Sequence, residues 1–380
     1  MRVRRLYVTK TGGQGWGVWL VLALNLLTLV GLLLAYLSYH ASPALMLLPV
    51  FFGISFPVWV ILNFLFVIFW IFRKKWWFLL SMIAIVAGWS HIQATYQSGD
   101  REIQQSDELK LMTYNVRFFD VYNWRKDSSA VTHNKIYRFL EEQQSGILCF
   151  QEFYNEDTPE FAVMDSLLSV QPATNYHIDY FQNKQNRYHW GLATFSKYPV
   201  VNRQRYQFRN SFGNYCIYTD ILYQGDTLRI FNVHLESWHF EEEDYRFIQD
   251  VPEKIPDEKQ VKSGMKKIYW KLRSSYFKRA IQVEELQQLI KKSPYPVIAC
   301  GDFNSTPVSY VHNLMTEELT DAFIGNGKHF GSTFDGLLPF ARIDYVFHDE
   351  SFNVQSFKTF KQDYSDHYPI TVNLNYNRNH

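Results

Sequence analysis

Several short apolar runs in this chain end in residues for which a buried strand has no use. Asn115 closes LMTYN, Gln151 and Glu152 close GILCFQE, His234 closes IFNVH, and VIACGDFNSTP carries Asp302 and Asn304 in period two. Asp344 interrupts ARIDYVF, and Asp366 with His367 stands before the last apolar run in YSDHYPI. Strands alternate faces, so Asp302 and Asn304 share one side while Phe303 takes the other, into the core. Taken alone, GDFNSTP is equally a turn, because Gly, Asp, Asn, Ser and Pro are the usual turn residues. Six such places in one chain are harder to dismiss. Each buried polar group is costly unless it finds a partner, and the simplest account is that these groups satisfy one another at a single site.

The residue types suit one reaction. Glu152 and Asp366 are hard oxygen ligands of the kind that hold Mg2+ or Mn2+, whereas Zn2+ favours Cys and His. Asp302 is fit to orient and deprotonate water, and Asn115 and Asn304 can meet phosphate oxygens as neutral donors. His234 and His367 carry protons near neutral pH or clamp phosphate as cations. An Asp behind a His fixes its tautomer and raises its basicity, the role expected of Asp344 toward His367. Together they describe in-line attack of water on a phosphodiester with a metal ion's help.

Elements must position these side chains. Strands are expected at Leu109–Asn115, Gly146–Gln151, Leu192–Ser196, Tyr215–Tyr223, Thr227–Leu235, Pro296–Asp302, Arg342–Phe347 and Phe352–Phe360, with a last one after His367. Gln224, Gly225 and Asp226 supply a hairpin turn between two of them. Ile136, Phe139 and Leu140 at helical spacing predict a helix over His133–Gln144, and further helices are expected over about 264–292 and near 308–317. Many strands with helices interspersed imply a large α/β sandwich over 109–380.

The start of the chain is a different kind of protein. The whole chain holds 38 Lys plus Arg against 37 Asp plus Glu, a net charge of +1. Residues 1–99 contain no acid and seven bases (Arg2, Arg4, Arg5, Lys10, Arg73, Lys74, Lys75), so 38 − 7 = 31 bases face all 37 acids afterwards, a net of −6. Trp16–Ser38, Ala44–Phe72 and Trp76–Ile92 are uncharged apolar runs, read as three transmembrane helices. The second is bent at Pro49 or Pro57. The first run exceeds the apolar core of a signal peptide. Arg and Lys before the first run and at 73–75 belong on the cytoplasmic side, so three crossings leave the catalytic residues extracytoplasmic. The division is then a membrane region over 1–95, a polar linker over 96–108 that lets the domain face the bilayer or turn away, and a catalytic domain over 109–380.

Read in order, YNV, FQE, GLATFSKYPV, NVHLES, GDFN, IDYVF and SDHYPI resemble the endonuclease/exonuclease/phosphatase superfamily across about 109–375. The resemblance implies a four-layer α/β/β/α sandwich with its site at one edge of two sheets. It makes Glu152 the metal ligand, with Asn115 and Asp366 close to the metal, and Asp302 with Asn304 the pair that positions water and phosphate. Asp344 and His367 become the Asp–His couple, and His234 the second histidine on the leaving-group side. One departure stands out: abasic-site endonucleases in this superfamily typically carry Asp two residues after the first Asn, where this chain has Arg117. That puts a second metal ligand, and abasic-site repair, in doubt.

The substrate class stays open. A net of −6 argues against strong non-specific DNA binding, and membrane attachment favours a lipid head group or another small phosphoester. A nuclease acting on DNA or RNA is the alternative, and a phospho-ligand-binding pseudo-enzyme a third that the intact residue set disfavours. Lys262–Arg279 interleaves bases with aromatics: it packs on the domain, lies on anionic lipid or grips nucleic acid. The acidic stretch near Glu241–Asp244 reads as a solvated loop or a lid. His189 reads as a surface histidine, Asn25, Thr28 and Asn63 as incidental polar residues within the spans, and Cys149, Cys216 and Cys300 as no disulfide framework. With no charged residue in the two longer runs, an anchor is favoured over a transport path.

Overall fold

Alternation along the strands decides which face each residue takes. A computed structural model describes residues 16–99, 109–122, 132–158, 163–170, 172–185, 187–240, 243–244, 247, 258–336 and 340–378. Arg2, Arg4, Arg5 and Lys10, residues 100–108 of the linker, and Glu241 and Glu242 lie outside them. The helices are α1 (Trp16–His40), α2 (Leu48–Ile54), α3 (Phe56–Phe72), α4 (Phe78–Ala87), α5 (Trp89–Thr95), α6 (Thr132–Gln143), α7 (Val163–Val170), α8 (Glu258–Lys291) and α9 (Tyr310–Thr316). The strands that matter to the site are β2 (Leu109–Asn115), β3 (Ile147–Glu156), β8 (Asp226–His234), β9 (Val297–Asp302), β12 (Asp344–His348) and β14 (Ile370–Tyr376). Their companions are β1 (Gln97–Ser98), β4 (Asn175–Lys184), β5 (Tyr188–Ser196), β6 (Val200–Gln207), β7 (Tyr215–Tyr223), β10 (Thr320–Asp321), β11 (Lys328–His329) and β13 (Phe352–Thr359).

Among the described residues two six-stranded sheets form, in the orders β10-β12-β9-β8-β7-β6 and β13-β14-β2-β3-β5-β4. Each has one parallel pair at its centre, β8 with β9 and β2 with β3. The β7–β8 hairpin turns on Gln224 and Gly225, both at positive φ, the backbone that a tight two-residue turn needs.

Leu109, Leu111, Ile147, Cys149, Ile370 and Val372 of one sheet meet Leu228, Ile230, Ile298, Cys300 and Val346 of the other. The alternate residues face outward: Met112, Tyr114, Leu148 and Phe150 pack under α6 and α7, and Phe231, Val233, Ala299 and Phe347 under α8 and α9. The result is the expected α/β/β/α order of layers. Polar residues continue the inner-face rows at one edge: Asn115 beyond Leu111 and Thr113, His234 beyond Ile230 and Asn232, Asp302 beyond Cys300. The sites of chemistry are therefore where the two apolar inner faces run out.

The expectation of three transmembrane helices is corrected. Among the described residues only α1 is long and apolar enough by itself to cross a membrane; α2–α3 and α4–α5 are pairs bent by 74° and 62° that qualify only if each pair counts as one span. The first bend falls at Ser55, two residues before Pro57 in the first turn of α3, where the missing N–H and the ring break the helix. Pro49 instead opens α2. The second bend falls at Gly88, where a Cβ would lie 2.1 Å from the Tyr36 hydroxyl, so only glycine fits. Asn25, Asn63 and Thr28 prove far from incidental. Asn25 Nδ2 donates to Ser81 Oγ at 2.7 Å, Ser81 Oγ to Asn63 Oδ1 at 2.8 Å, Trp70 Nε1 to Asn25 Oδ1 at 2.9 Å, and Asn63 Nδ2 to the Thr28 carbonyl at 3.0 Å. This buried network joins α1, α3 and α4, the kind of polar glue that holds helices together where no hydrophobic contrast exists.

The bundle docks directly on the sandwich. Val308 packs among Leu32, Ala35 and Phe56, the Tyr39 hydroxyl is 2.8 Å from Thr316 Oγ1, and Arg342 donates to the Ala94 carbonyl at 2.7 Å. Arg342 is fully buried, with Asp321 at 2.8 Å as its counter-charge. Residues 97–98, expected as linker, pair as β1 with β11.

Candidate active site

Register brings the polar row ends together. His234 pairs with Asp302 across β8–β9, Asp302 with Asp344 across β9–β12, and Asn115 with Gln151 across β2–β3. Gly301 makes the close β8–β9 approach possible: it sits at φ +136°, and a Cβ there would be 2.0 Å from the Val233 carbonyl oxygen. Glu152 belongs by alternation on the outer face. A bulge between Phe150 and Phe153, with Glu152 itself at φ 49°, turns its carboxylate inward instead. Asn304 makes a similar turn at φ 51°.

A cavity of about 240 Å3 opens at this edge, lined among others by Glu152, His234, Asp302, Asn304, Asp366 and His367. Asp302 forms its floor. Its Oδ1 accepts from the Asn304 backbone N–H at 2.9 Å, and its Oδ2 from Asn115 Nδ2 at 3.2 Å. Both His234 Nε2 and His367 Nε2 stand 3.7 Å from Oδ2. Asn115 Nδ2 also reaches Glu152 Oε1 at 3.4 Å, and Asn304 Nδ2 donates to the Leu235 carbonyl at 3.0 Å. Asp344 lies behind His367, with 2.9 Å from Oδ2 to Nδ1. All eight residues singled out from sequence thus fall in or directly beneath one cavity.

Burial sets their protonation. It pushes the Asp302 carboxyl up to about 7, with His367 opposing the shift and Asp344 adding to it. For His367 burial disfavours the imidazolium, but the Asp344 and Asp302 carboxylates outweigh it and hold the ring up to about 10. Burial, seconded by the charge of His367, brings His234 down to about 4. Glu152 is raised by burial and then by the nearby Asp366 carboxylate. Near pH 7 the site therefore holds a charged His367, a neutral His234 and an Asp302 poised to give up or take a proton.

The donor set fits a divalent cation. Asp302, Asp344 and His367 bring ligand atoms within 4.8 Å of one another, although His367 Nδ1 is already engaged with Asp344. Glu152 and Asp366 face the same cavity as two acids, an arrangement that a cation relieves, and Asn115 brings an amide beside Glu152. Carboxylates and an amide without a thiol are the donors of a hard ion. His234 Nε2, buried without a hydrogen-bond partner, also points at this space.

Sequence reasoning missed the supports. Asn232 receives Gln151 Nε2 at 2.7 Å and donates to the Phe150 and Ala193 carbonyls at 3.1 and 3.0 Å, bridging the sheets beneath the floor. Its place two residues before His234, on the same face, was the available signal. Ser365 Oγ donates to the Asn115 carbonyl at 2.9 Å and accepts from the His367 N–H at 3.1 Å, and Thr333 Oγ1 accepts from the Asp344 N–H at 3.1 Å. Arg117, the departure from the family pattern, stands with its Nε 3.7 Å from Asp366. His189 is buried rather than at the surface, and its Nε2 meets Asp157 at 2.8 Å, away from the cavity. Asp244 receives Lys271 at 2.6 Å, which ties that part of the acidic stretch to α8.

Comparison with known proteins gives this geometry a family. No curated protein matches the chain. Similar solved structures include an endonuclease/exonuclease/phosphatase family protein from Leptotrichia buccalis (16% identity, 70% of this chain and 100% of that one, TM-score 0.49). Another is a family protein from Bacteroides thetaiotaomicron (16%, 73% and 98%, 0.47). A third is D. rerio TDP2 complexed with single strand DNA product (15%, 71% and 100%, 0.48). A family model described as a domain of unknown function matches residues 18–95. The model described as the Endonuclease/Exonuclease/phosphatase family matches residues 112–367, more than half of the chain. The chain belongs to the endonuclease/exonuclease/phosphatase family, whose members are metal-dependent hydrolases of phosphoester bonds.

Proposed function

We propose that the chain is a membrane-attached phosphodiesterase that hydrolyses the phosphoester of a lipid head group or another small molecule by in-line attack of water. The observation that carries this reading is Asp302, buried on the cavity floor between two histidines, with its carboxyl lifted to about 7. Asp302 takes a proton from water as the oxygen attacks phosphorus. His367, kept cationic by Asp344, and the Asn304 amide receive the charge that builds on the phosphate oxygens. Neutral His234, with an uncommitted Nε2, lies on the leaving-group side, where it can hydrogen-bond the departing oxygen; that oxygen takes its proton from solvent, giving a phosphomonoester and an alcohol. Glu152, Asn115 and Asp366 are the residues that would hold Mg2+ or Mn2+, which supplies further charge neutralisation at the phosphate when bound.

Membrane attachment rests on α1. With the basic N-terminal segment cytoplasmic, one crossing or three puts the cavity on the extracytoplasmic side. The test uses the full chain in detergent with Mg2+, offered a chromogenic phosphodiester, phospholipid–sphingomyelin vesicles and plasmid DNA, with Asp302→Ala as the blank. Turnover of diester or head group that the blank lacks is the expected result. Nicking of plasmid without either would replace this reading with a nuclease, and equal turnover by the blank would remove Asp302 from the chemistry.

A further inference from the structure

Helix α8 has a face that the chemistry leaves unused. Its second half is buried, with Val283, Leu286 and Ile290 on the outer face of the sheet. Its first half is not: Met265, Tyr269, Trp270 and Phe277 are 61, 43, 50 and 47% exposed. At about 100° per residue these four fall in one arc of about 140°, and Lys266 and Arg273 fall in the same arc. Arg273 stacks its guanidinium over the Trp270 ring at 5.0 Å. A helix that only packed on its own domain would bury such side chains. Aromatics set among bases on an open face are what an interfacial helix presents to lipid.

Lysines on the other side of α8 have a different task. Lys267 and Lys271 reach Asp244 at 3.1 and 2.6 Å, Lys271 also donates to the His239 carbonyl at 2.9 Å, and Lys278 reaches Glu236 at 2.6 Å. They hold Asp244 and the stretch from Glu236 to Phe240, whose Ser237, Trp238, His239 and Phe240 form one wall of the cavity. One helix thus presents an open aromatic-basic face outward and carries the cavity wall inward.

What covers the open face follows from its neighbours. Trp270, Arg273, Ser274 and Phe277 share a groove with Pro43 and Ala44, in the connection between α1 and α2. Leu45, Met46 and Leu48 continue the exposed apolar surface from there. The face of α8 is therefore continuous with the end of the span-length helix. The cavity is near as well: Thr306 lines it and Val308 packs on α1, while Ala341 and Ile343 line it and Arg342 between them bonds to α5.

We propose that the first half of α8 lies in the head-group layer of the leaflet where α1 ends, with its aromatics among acyl chains and its bases on anionic phosphates, so that the cavity draws its phosphoester from a lipid of that leaflet. This rests on the reading of α1 as a span and of the cavity as a phosphodiesterase. The test is made on the full chain in nanodiscs of phosphatidylcholine and phosphatidylglycerol, with a nitroxide on one introduced cysteine at a time; the three native cysteines are buried. Labels at Tyr269→Cys and Phe277→Cys should be reached by oxygen and shielded from a water-soluble nickel chelate, as should Leu27→Cys on α1. Gln288→Cys, exposed on the packed half, should show the reverse. Lys266→Glu with Arg273→Glu should lower head-group release relative to soluble-diester turnover on the order of tenfold.

Water-exposed labels at 269 and 277 with a bilayer-embedded label at 27 would overturn the proposal while leaving the anchor intact. A water-exposed label at 27 would remove the anchor and the proposal together. Shielding that appears only when a single-stranded oligonucleotide is added would overturn it in favour of a nucleic-acid face. Shielded labels on an enzyme that turns over soluble diester but no lipid would overturn the substrate assignment.

Discussion

Replacing Asp302 by Asn should make the protein more stable while removing its activity. The ordinary carboxyl value is 3.8, and burial raises Asp302 to about 7. A raised value means that the native state gives up its proton less readily than the unfolded chain. Asp302 therefore costs nothing below pH ~4. Its ionised form then weighs against the native state increasingly between about 4 and 7, and the cost levels off above that. About three units at ~1.36 kcal/mol each give roughly 4 kcal/mol at the plateau. Asn copies the neutral carboxyl in shape and never ionises, so Asp302→Asn should recover most of that amount at pH 8 and almost none at pH 4. Urea unfolding of the full chain in detergent with a chelator present, followed by tryptophan fluorescence at several pH values, measures it. Chelation matters because a bound cation would stabilise the ionised form. In the same protein kcat should fall by about 10²- to 10⁴-fold, the usual range for a lost general base. A variant no more stable at pH 8 than at pH 4, relative to wild type, would refute the account of a carboxylate held in place against its own ionisation.

Asp344→Asn should keep the fold but lower kcat by about 10²-fold or more, with the His367 ring titrating nearer its ordinary value in NMR, because the 2.9 Å carboxylate partner is gone. Gly301→Ala should cost about 2 kcal/mol or more in urea unfolding and reduce activity as well, since the new methyl meets the Val233 carbonyl at 2.0 Å and shifts Asp302 against His234. Arg342→Met should destabilise by about 3–5 kcal/mol in the same assay, because Asp321 is left buried without the guanidinium at 2.8 Å; Asp321→Asn added to it should restore part of the loss.

The site was more legible in the sequence than the parts that support it, for a physical reason. Asp302, His234, Asn115 and Asp344 each stand at the end of a strand whose sequence is mostly apolar, so a single chain shows the contrast. Glu152 showed only that it ended a strand; the bulge that turns it inward is a tertiary feature with no local mark. Asn232 and Ser365 act through partners about 81 and 250 residues away, so their roles appear only once the sheets close. β4 and β6 went unseen because they are edge strands with mixed polarity, NYHIDYFQNK and VVNRQRYQ, which leave little period-two contrast. In the N-terminal region hydropathy located the apolar runs, but Pro57 and Gly88 decide where the helices break, and hydropathy does not register a 74° or 62° turn.

Those breaks also change how the two parts of the chain meet. A polar linker by itself leaves orientation open, whereas here the bends bring α2 and α5 across the end of α1, where they meet the sandwich. Val308 fills the space between α1 and α3, Tyr39 bonds to Thr316 of α9, and Arg342 bonds to the carboxyl end of α5 while neutralising Asp321. Burying a guanidinium is costly unless its charge is met; here Asp321 meets the charge and the Ala94 carbonyl takes a further Nη2 hydrogen bond, so groups from both parts of the chain hold it. Separation of the two parts would leave Arg342 without the Ala94 carbonyl and would expose Val308 and its apolar neighbours, so docking is favoured over a free tether. The strand end that carries Asp302 and Asn304 leads within a few residues to Val308, so the residue pair that closes VIACGDFN is both the floor of the cavity and the start of the contact with the N-terminal helices.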